Sequence, residues 1–325
     1  MIQVALLSKW HVHSEGYGNE FASIPDGKVT VIWDEDPVRG KEWAEKMNCD
    51  YEPSLEKVLA RPDVDAVSVG TSTNLHKEVI IAAAKAGKAV FTEKVLSFTA
   101  KEAEEIAEVL RETKVPFLIS YPFRTRGQVL YMKKLIDEGV LGQVTHMRVR
   151  DAHDGASSGW LPPTFFDVKQ CGGGAMMDLG AHPMYLCLYL MGEPAKVTSV
   201  FTEMAKKGAD DNCVSILEYE NGAIAVSETG FVSKRSPFSI EINGTKGSLT
   251  MNDLIPGELI LNTDEGVRHI TAEEIGEGLP HPVPLFVECL RENKPSPFTV
   301  EDAVALSRLM EAAYRSAAEK KTVAY

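Results

Sequence analysis

The sequence predicts an α/β protein in two parts. Residues 1–122 read as a doubly wound parallel sheet, and residues 123–325 as an α+β domain with a large open, mainly antiparallel sheet, its C-terminal helix free to pack back on the first domain. Three observations lead there. A chain of 325 residues with 44% hydrophobic content exceeds what one core usually organises. Short apolar runs alternate with helical patterns through the first 120 residues, and the second half changes to short strands set off by turn residues.

In order, Ile2–Leu7, Lys28–Trp33, Ala66–Val69, Ala89–Thr92 and Phe117–Ile119 read as buried strands. Between them, helices are predicted over Pro37–Met47, Ser54–Leu59, Leu75–Ala86 and Thr99–Glu112. Asp36 before Pro37 marks a helix start, Thr99 with Glu102 has capping-box spacing, and Gly87 closes the helix before it. Arg126–Asp137 reads as a helix ended by Gly139 and Gly142, and Val144–Arg150 as a strand. A loop rich in Gly, Pro and aromatics then runs from His153 to Cys171, a composition that suits functional loops. Strands follow at Val197–Thr202, Cys213–Tyr219, Ile224–Thr229, Ser239–Asn243, Ser248–Met251, Leu259–Leu261 and Val267–Ile270, with helices at Pro284–Glu292 and Val300–Ala318.

The chain is organised around Gly172-Gly173-Gly174-Ala175-Met176-Met177-Asp178-Leu179-Gly180-Ala181-His182. Three glycines let backbone or ligand approach closely, and Asp178 and His182, four apart, would share one helix face. A carboxylate one turn from an imidazole can orient it for general-base work. The alternative is a solvated ion pair, against which Met176, Met177, Leu179, Met184, Leu186, Leu188 and Leu190 argue by making the segment apolar nearly all round.

Parallel sheets bind ligands at the carboxyl ends of their strands. After the second strand stands Asp34, placed to accept from a ribose diol and to repel a 2'-phosphate; a turn or cap is its other reading. Thr71, Asn74 and His76 follow the third strand, and Glu93 and Lys94 the fourth. Lys94, if desolvated there, can act on protons. After the first strand, a glycine-rich phosphate turn is replaced by Ser8-Lys9-Trp10-His11-Val12-His13. Ser8, Lys9, His11 and His13 offer four donors that would hold a pyrophosphate through side chains as well as backbone; the other reading is a packed turn, with Trp10 filling it.

Taken together, these segments resemble the Gfo/Idh/MocA oxidoreductases, and the resemblance covers nearly the whole chain. It runs through Thr71–His76, Ala86–Lys94, Leu135–Val144, Gly172–His182 and Asp302-Ala303. It implies a Rossmann domain, a second domain whose open sheet often mediates oligomerisation, and a nicotinamide cofactor. Carried over by motif, Lys94 and His182 are catalytic and Asp178 orients substrate, while Thr71, Asn74 and Glu93 border the cofactor. The chain departs from the family at the missing glycines, at Glu93-Lys94-Val95 where relatives have Glu-Lys-Pro, and at Tyr185 where they often carry an acid.

The expected activity is NAD-dependent hydride transfer at a hydroxyl-bearing carbon of a sugar, cyclitol or related polyol, with NAD preferred to NADP. Lys94, Asp178 and His182 would be catalytic. Ser8, Trp10, His11, His13, Asp34, Thr71, Asn74, His76 and Glu93 would bind the cofactor, and Arg124, His153 and Trp160 the substrate. No metal is expected. An NAD-dependent glycoside-cleaving enzyme working by oxidation and elimination, or a non-catalytic ligand sensor of the same fold, are the alternatives. Lys plus Arg at 34 against Asp plus Glu at 47 gives a net charge of -13, which disfavours nucleic acid and anionic membranes. Five scattered cysteines read as reduced thiols, and with no apolar run of membrane-spanning length the expectation is a cytoplasmic homodimer or homotetramer.

Overall fold

β1 (Ile2–Leu7) is flanked on both sides by parallel partners, so its inner residues Val4 to Leu7 are fully buried. The computed structural model describes residues 1–325 and separates them into two units, Met1–Tyr121 with Pro280–Ser307, and Pro122–Leu279 with Arg308–Tyr325. The elements of the first unit follow β1 as α1 (Ser14–Ser23), β2 (Gly27–Trp33), α2 (Pro37–Met47), β3 (Asp50–Tyr51), α3 (Leu55–Leu59), β4 (Ala66–Val69), α4 (His76–Lys85), β5 (Ala89–Thr92), α5 (Ala100–Thr113) and β6 (Phe117–Ile119). Their sheet has the order β3-β2-β1-β4-β5-β6, all parallel, and the order reverses between β1 and β4. That reversal opens a crevice at the carboxyl ends of those two strands, the usual ligand position in such sheets.

Capping follows the sequence. Asp36 accepts from the N–H groups of Val38 and Arg39, Thr99 accepts from Glu102 N, and Gly87 takes a left-handed φ of 74° behind α4. The helix α1 lies outside the sequence expectation, because Gly16 and Gly18 weaken its pattern. It forms because Tyr17 and Phe21, four apart, are both buried with edge-on contacts to Phe91, at ring-centroid separations of 5.0 and 5.8 Å. Gly18 is needed there: a Cβ would lie 2.9 Å from Leu6 and 3.2 Å from Trp43.

The second unit contains α6 (Gly127–Asp137), β7 (Val144–Ala152), α7 (Val168–Cys171), α8 (Ala181–Met191), β8 (Lys196–Thr202), β9 (Asn212–Glu218), β10 (Ile224–Gly230), β11 (Ser239–Gly244), β12 (Gly247–Asn252), β13 (Leu259–Thr263), β14 (Gly266–Ile270) and α9 (Ala272–Ile275). α10 (Pro282–Glu292) belongs to the first unit; α11 (Val300–Glu319) gives its residues up to Ser307 to the first and the rest, with β15 (Val323–Ala324), to the second. The nine strands run β14-β13-β12-β11-β7-β10-β9-β8-β15, antiparallel except for the β7–β10 pair. Period-two alternation buries Met147 and Val149 of β7, while Arg148 and Arg150 turn to the other face and share the carboxylate of Glu228 on β10. No helix is long and apolar enough to cross a membrane.

One expectation needs correcting. Asp178 and His182 do not share a helix face, because α8 begins at Ala181 and residues 172–180 form turns. Backbone donors in those turns are claimed from a distance. The Asp210 carboxylate accepts from Gly174 N at 2.9 Å and Met176 N at 2.8 Å, and the Tyr314 hydroxyl accepts from Met177 N at 3.1 Å. The late start also explains why Pro183 is tolerated: it falls in the first turn of α8, where a backbone N–H has no helical partner to lose.

Candidate active site

In the first unit, the turn after β1 is drawn tight without glycine. Ser8 adopts φ 74°, its N–H donates to Trp33 O at 2.7 Å, and its hydroxyl accepts from Trp10 N at 3.1 Å and from the Arg39 guanidinium at 3.3 Å. A serine in the left-handed region is strained by roughly 1 kcal/mol or more, so its surroundings hold it there. His11 N donates to Gly70 O at 3.0 Å, tying this turn to the end of β4 across the crevice. At Gly70 a Cβ would lie 2.1 Å from Ser14 Oγ and 2.8 Å from Ser8 O, so the approach requires glycine. Trp10 is buried and fills the turn.

The histidines of this turn face a carboxylate. His13 Nδ1 lies 2.7 Å from Glu93 Oε1 and His11 Nδ1 3.6 Å from the same oxygen, and their rings are 4.7 Å apart edge to face. Tyr17 donates its hydroxyl to Glu93 as well and contacts Ser120 Oγ at 2.9 Å, while Lys94 N donates to Glu93 Oε2 at 2.9 Å. Burial on its own would raise the Glu93 carboxyl, but the positive charge of His11, His13 and Lys94 holds it well below the ordinary range. The phenol of Tyr17 is pushed well above its ordinary value by burial and by Glu93. Lys94 is 4% exposed, and the Lys94–Val95 peptide is cis, the geometry left open by the absence of proline at position 95.

Asp34 is buried and its oxygens are engaged. It accepts from Lys9 N at 2.9 Å, from Asp36 N at 2.8 Å, and from two nitrogens of Arg39 at 2.9 and 2.6 Å. Arg39, five residues on, was not singled out from the sequence; its position at the start of α2 is the signal that would have found it. His76 is also buried, with its ring nitrogens 3.0 Å from Val95 O and 3.3 Å from Thr71 O, so it fastens the loop after β4 to the one after β5. Burial lowers its imidazole to about 4, which keeps it neutral. Thr71 Oγ1 and Ser14 Oγ are buried without hydrogen-bond partners. Asn74 is exposed and accepts from Ser72 Oγ at 2.6 Å.

In the second unit, His182 is 6% exposed on the first turn of α8. Its Nδ1 lies 3.0 Å from the Tyr185 hydroxyl, which also accepts from Phe123 N at 3.1 Å, and the Phe123 ring packs edge-on against the imidazole at 4.9 Å. Tyr185 thus stands where related sequences often carry an acid, and fixes the ring without a negative charge. The glycines before it are explained by Tyr314 and Asp210. A Cβ at Gly173 would lie 1.9 Å from Tyr314 Oη, and one at Gly174 2.0 Å from Asp210 O. The space the glycines leave is filled by protein. Asp210 and Tyr314, 2.8 Å apart, carry no local sequence signal, being respectively 36 and 140 residues from Gly174. Arg124 is buried with its guanidinium 4.4 Å from the Tyr189 ring. At the end of β7, His153 stacks on Phe231 at 4.9 Å and packs against Trp160 at 4.7 Å; the half-exposed indole donates to Asp154 at 3.2 Å. His153, Trp160 and Phe231 therefore make one aromatic wall with a carboxylate on its rim.

Both halves of this geometry have relatives. Residues 7–121 match the model of the oxidoreductase family with an NAD-binding Rossmann fold, and residues 129–250 match the GFO/IDH/MocA C-terminal domain. The chain is 27% identical over 319 residues to myo-inositol 2-dehydrogenase of Thermotoga maritima, covering 92% of each protein. It is 30% identical over 227 residues to 2,7-anhydro-N-acetylneuraminate hydratase of Mediterraneibacter gnavus, covering 67% of this chain and 59% of that one. A levoglucosan dehydrogenase solved with NADH and levoglucosan shares the fold, with a TM-score of 0.87 at 23% identity over 99% of both chains. An ordered parallel sheet with its crevice at β1 and β4, followed by the matching open-sheet domain, makes this chain a member of the GFO/IDH/MocA family of NAD-binding oxidoreductases.

Proposed function

We propose that the protein oxidises, or in reverse regenerates, a secondary hydroxyl of a sugar, cyclitol or related polyol, with Lys94 and His182 as the proton-handling residues and NAD as cofactor. The observation that carries this is His182: a buried imidazole held at Nδ1 by a neutral hydroxyl has a fixed orientation and keeps its proton affinity near neutrality. A pure ligand sensor has no need of such a group together with a buried lysine. The first unit fits a nicotinamide dinucleotide: Thr71 Oγ1 and Ser14 Oγ are buried donors with no protein acceptor, at the end of β4 and the start of α1. When bound, NAD supplies the hydride acceptor. His182 takes the hydroxyl proton, Lys94 polarises the same oxygen, and Asp178 orients a neighbouring hydroxyl. Ser8, Trp10, His11, His13, Asp34, Asn74, His76 and Glu93 shape the cofactor side directly or by holding its loops.

The aromatic wall of His153 and Trp160, with Arg124, suits the apolar face and hydroxyl edges of a sugar ring. Relatives named for 2,7-anhydro-N-acetylneuraminate hydratase and levoglucosan dehydrogenase favour a second reading, in which oxidation is transient and elimination or hydration follows. A polyol and anhydro-sugar panel, with NADH formation and products both recorded, separates the two: net NADH marks a dehydrogenase, and product without net NADH marks the second. No turnover across the panel, with NAD bound, would sink both. Exposed Val200, Val214, Ile216 and Ile224 share one face of the large sheet and support a homo-oligomer, and five unpaired cysteines suit the cytoplasm.

A further inference from the structure

We propose that His11, His13 and Glu93 form a binding site for one divalent transition-metal ion of the borderline class typified by zinc. The three donor atoms, one from each residue, lie within 4.8 Å of one another. A tetrahedral site with bonds of about 2.0–2.1 Å needs donors roughly 3.3 Å apart, and the observed 2.7 and 3.6 Å to Glu93 bracket that spacing. Small side-chain rotations therefore suffice. Two imidazoles with one carboxylate favour zinc, cobalt or nickel over calcium and magnesium, which take oxygen ligands.

The donors are held as metal ligands usually are. Glu93 is buried and anchored on both oxygens, by the Tyr17 hydroxyl on one and by Lys94 N on the other. His11 is pinned through its backbone to Gly70, and Ser14 N and Tyr17 N cap the carbonyls of His11 and His13. The unprotonated lone pair that a metal needs is available on His11 Nδ1, which now accepts from His13 N at 3.2 Å. His13, with its side chain 45% exposed, gives an ion a way in from solvent. Three protein ligands leave at least one coordination position for water or another oxygen ligand, the pattern of open rather than structural sites. The site also places positive charge at the strand end where the family's glycine turn is missing, which is the chemistry the turn would have supplied to a phosphate.

The test uses purified full-length protein, stripped with chelator and titrated with cobalt(II), whose visible absorption reports tetrahedral coordination, and with zinc by competition. One cobalt per chain with a tetrahedral spectrum, displaced by zinc, is the expected result. His11→Ala with His13→Ala, and separately Glu93→Gln, should lose that spectrum and weaken binding at least tenfold, while His269→Ala, which removes an exposed His–Glu pair, should leave it unchanged. Circular dichroism and NAD titration of each variant establish that it is folded. If a Glu93 variant fails to fold, the histidine pair carries the test. No stoichiometric cobalt binding by wild type, or binding that survives in the double histidine variant, overturns the proposal. Because the readout is stoichiometry and spectrum, it can fail while the dehydrogenase reading stands, and the reverse.

Discussion

Replacing Tyr185 with phenylalanine isolates what the hydroxyl beside His182 does. The ring is 2% exposed and phenylalanine keeps its volume, so no cavity opens. Lost are the contact to His182 Nδ1 at 3.0 Å and the acceptor for Phe123 N at 3.1 Å. Each buried group left without a partner costs about 1–3 kcal/mol, so the variant should be destabilised by roughly 2–5 kcal/mol in urea unfolding. The kinetic effect is separate. An imidazole free to rotate should lower kcat by less than the roughly 10²- to 10⁴-fold expected for deleting a general acid-base group, with KM little changed. Tyr185→Glu should restore the positioning and, by placing a carboxylate beside the ring, raise its proton affinity and move the acid limb of the kcat/KM profile to higher pH. Unchanged stability and turnover in the phenylalanine variant, or an unmoved acid limb in the glutamate variant, would refute the reasoning.

Lys94→Ala and His182→Ala should each remove roughly 10²- to 10⁴-fold of turnover at saturating NAD while leaving circular dichroism unchanged; near wild-type rates in either exclude that residue from proton transfer. His76 is held neutral in the fold at about 4 against an ordinary 6.5, so its contribution is complete above pH 6.5 and is lost as pH falls toward 4. That amounts to about 2 kcal/mol less stability at pH 5 than at pH 7, and His76→Gln should flatten the loss in denaturant titrations at the two pH values. NAD should bind more tightly than NADP by calorimetry, and Asp34→Ala, which removes the carboxylate and releases Arg39, should narrow or invert the preference; an unaltered ratio would take Asp34 out of ribose recognition. Asp210→Ala should free Gly174 N and Met176 N together, and proteolysis within residues 172–180 should rise with it.

The alternation of apolar runs and helical patterns was enough to determine the parallel sheet, its helices and most of the open sheet, because burial of one face imposes a period that local sequence displays. Caps at Asp36 and Thr99 were legible for the same reason, being contacts between residues two or three apart. Lys94, Asp178 and His182 were legible as chemistry through their motifs. Their settings were not. That the glycine run forms turns, with α8 starting only at Ala181, was decided by Asp210 and Tyr314, whose hydrogen bonds reach across 36 and 140 residues and outcompete a helical ladder. That His11 and His13 face Glu93 was decided by the parallel pairing of β1, β4 and β5, which brings positions about 80 residues apart to one strand-end rim. The engagement of Asp34 by Arg39 likewise depends on where α2 starts. Sequence carries periodicity and residue chemistry because both are local; which polar groups meet is set by strand order and by the packing of distant segments, and only the folded chain contains that information.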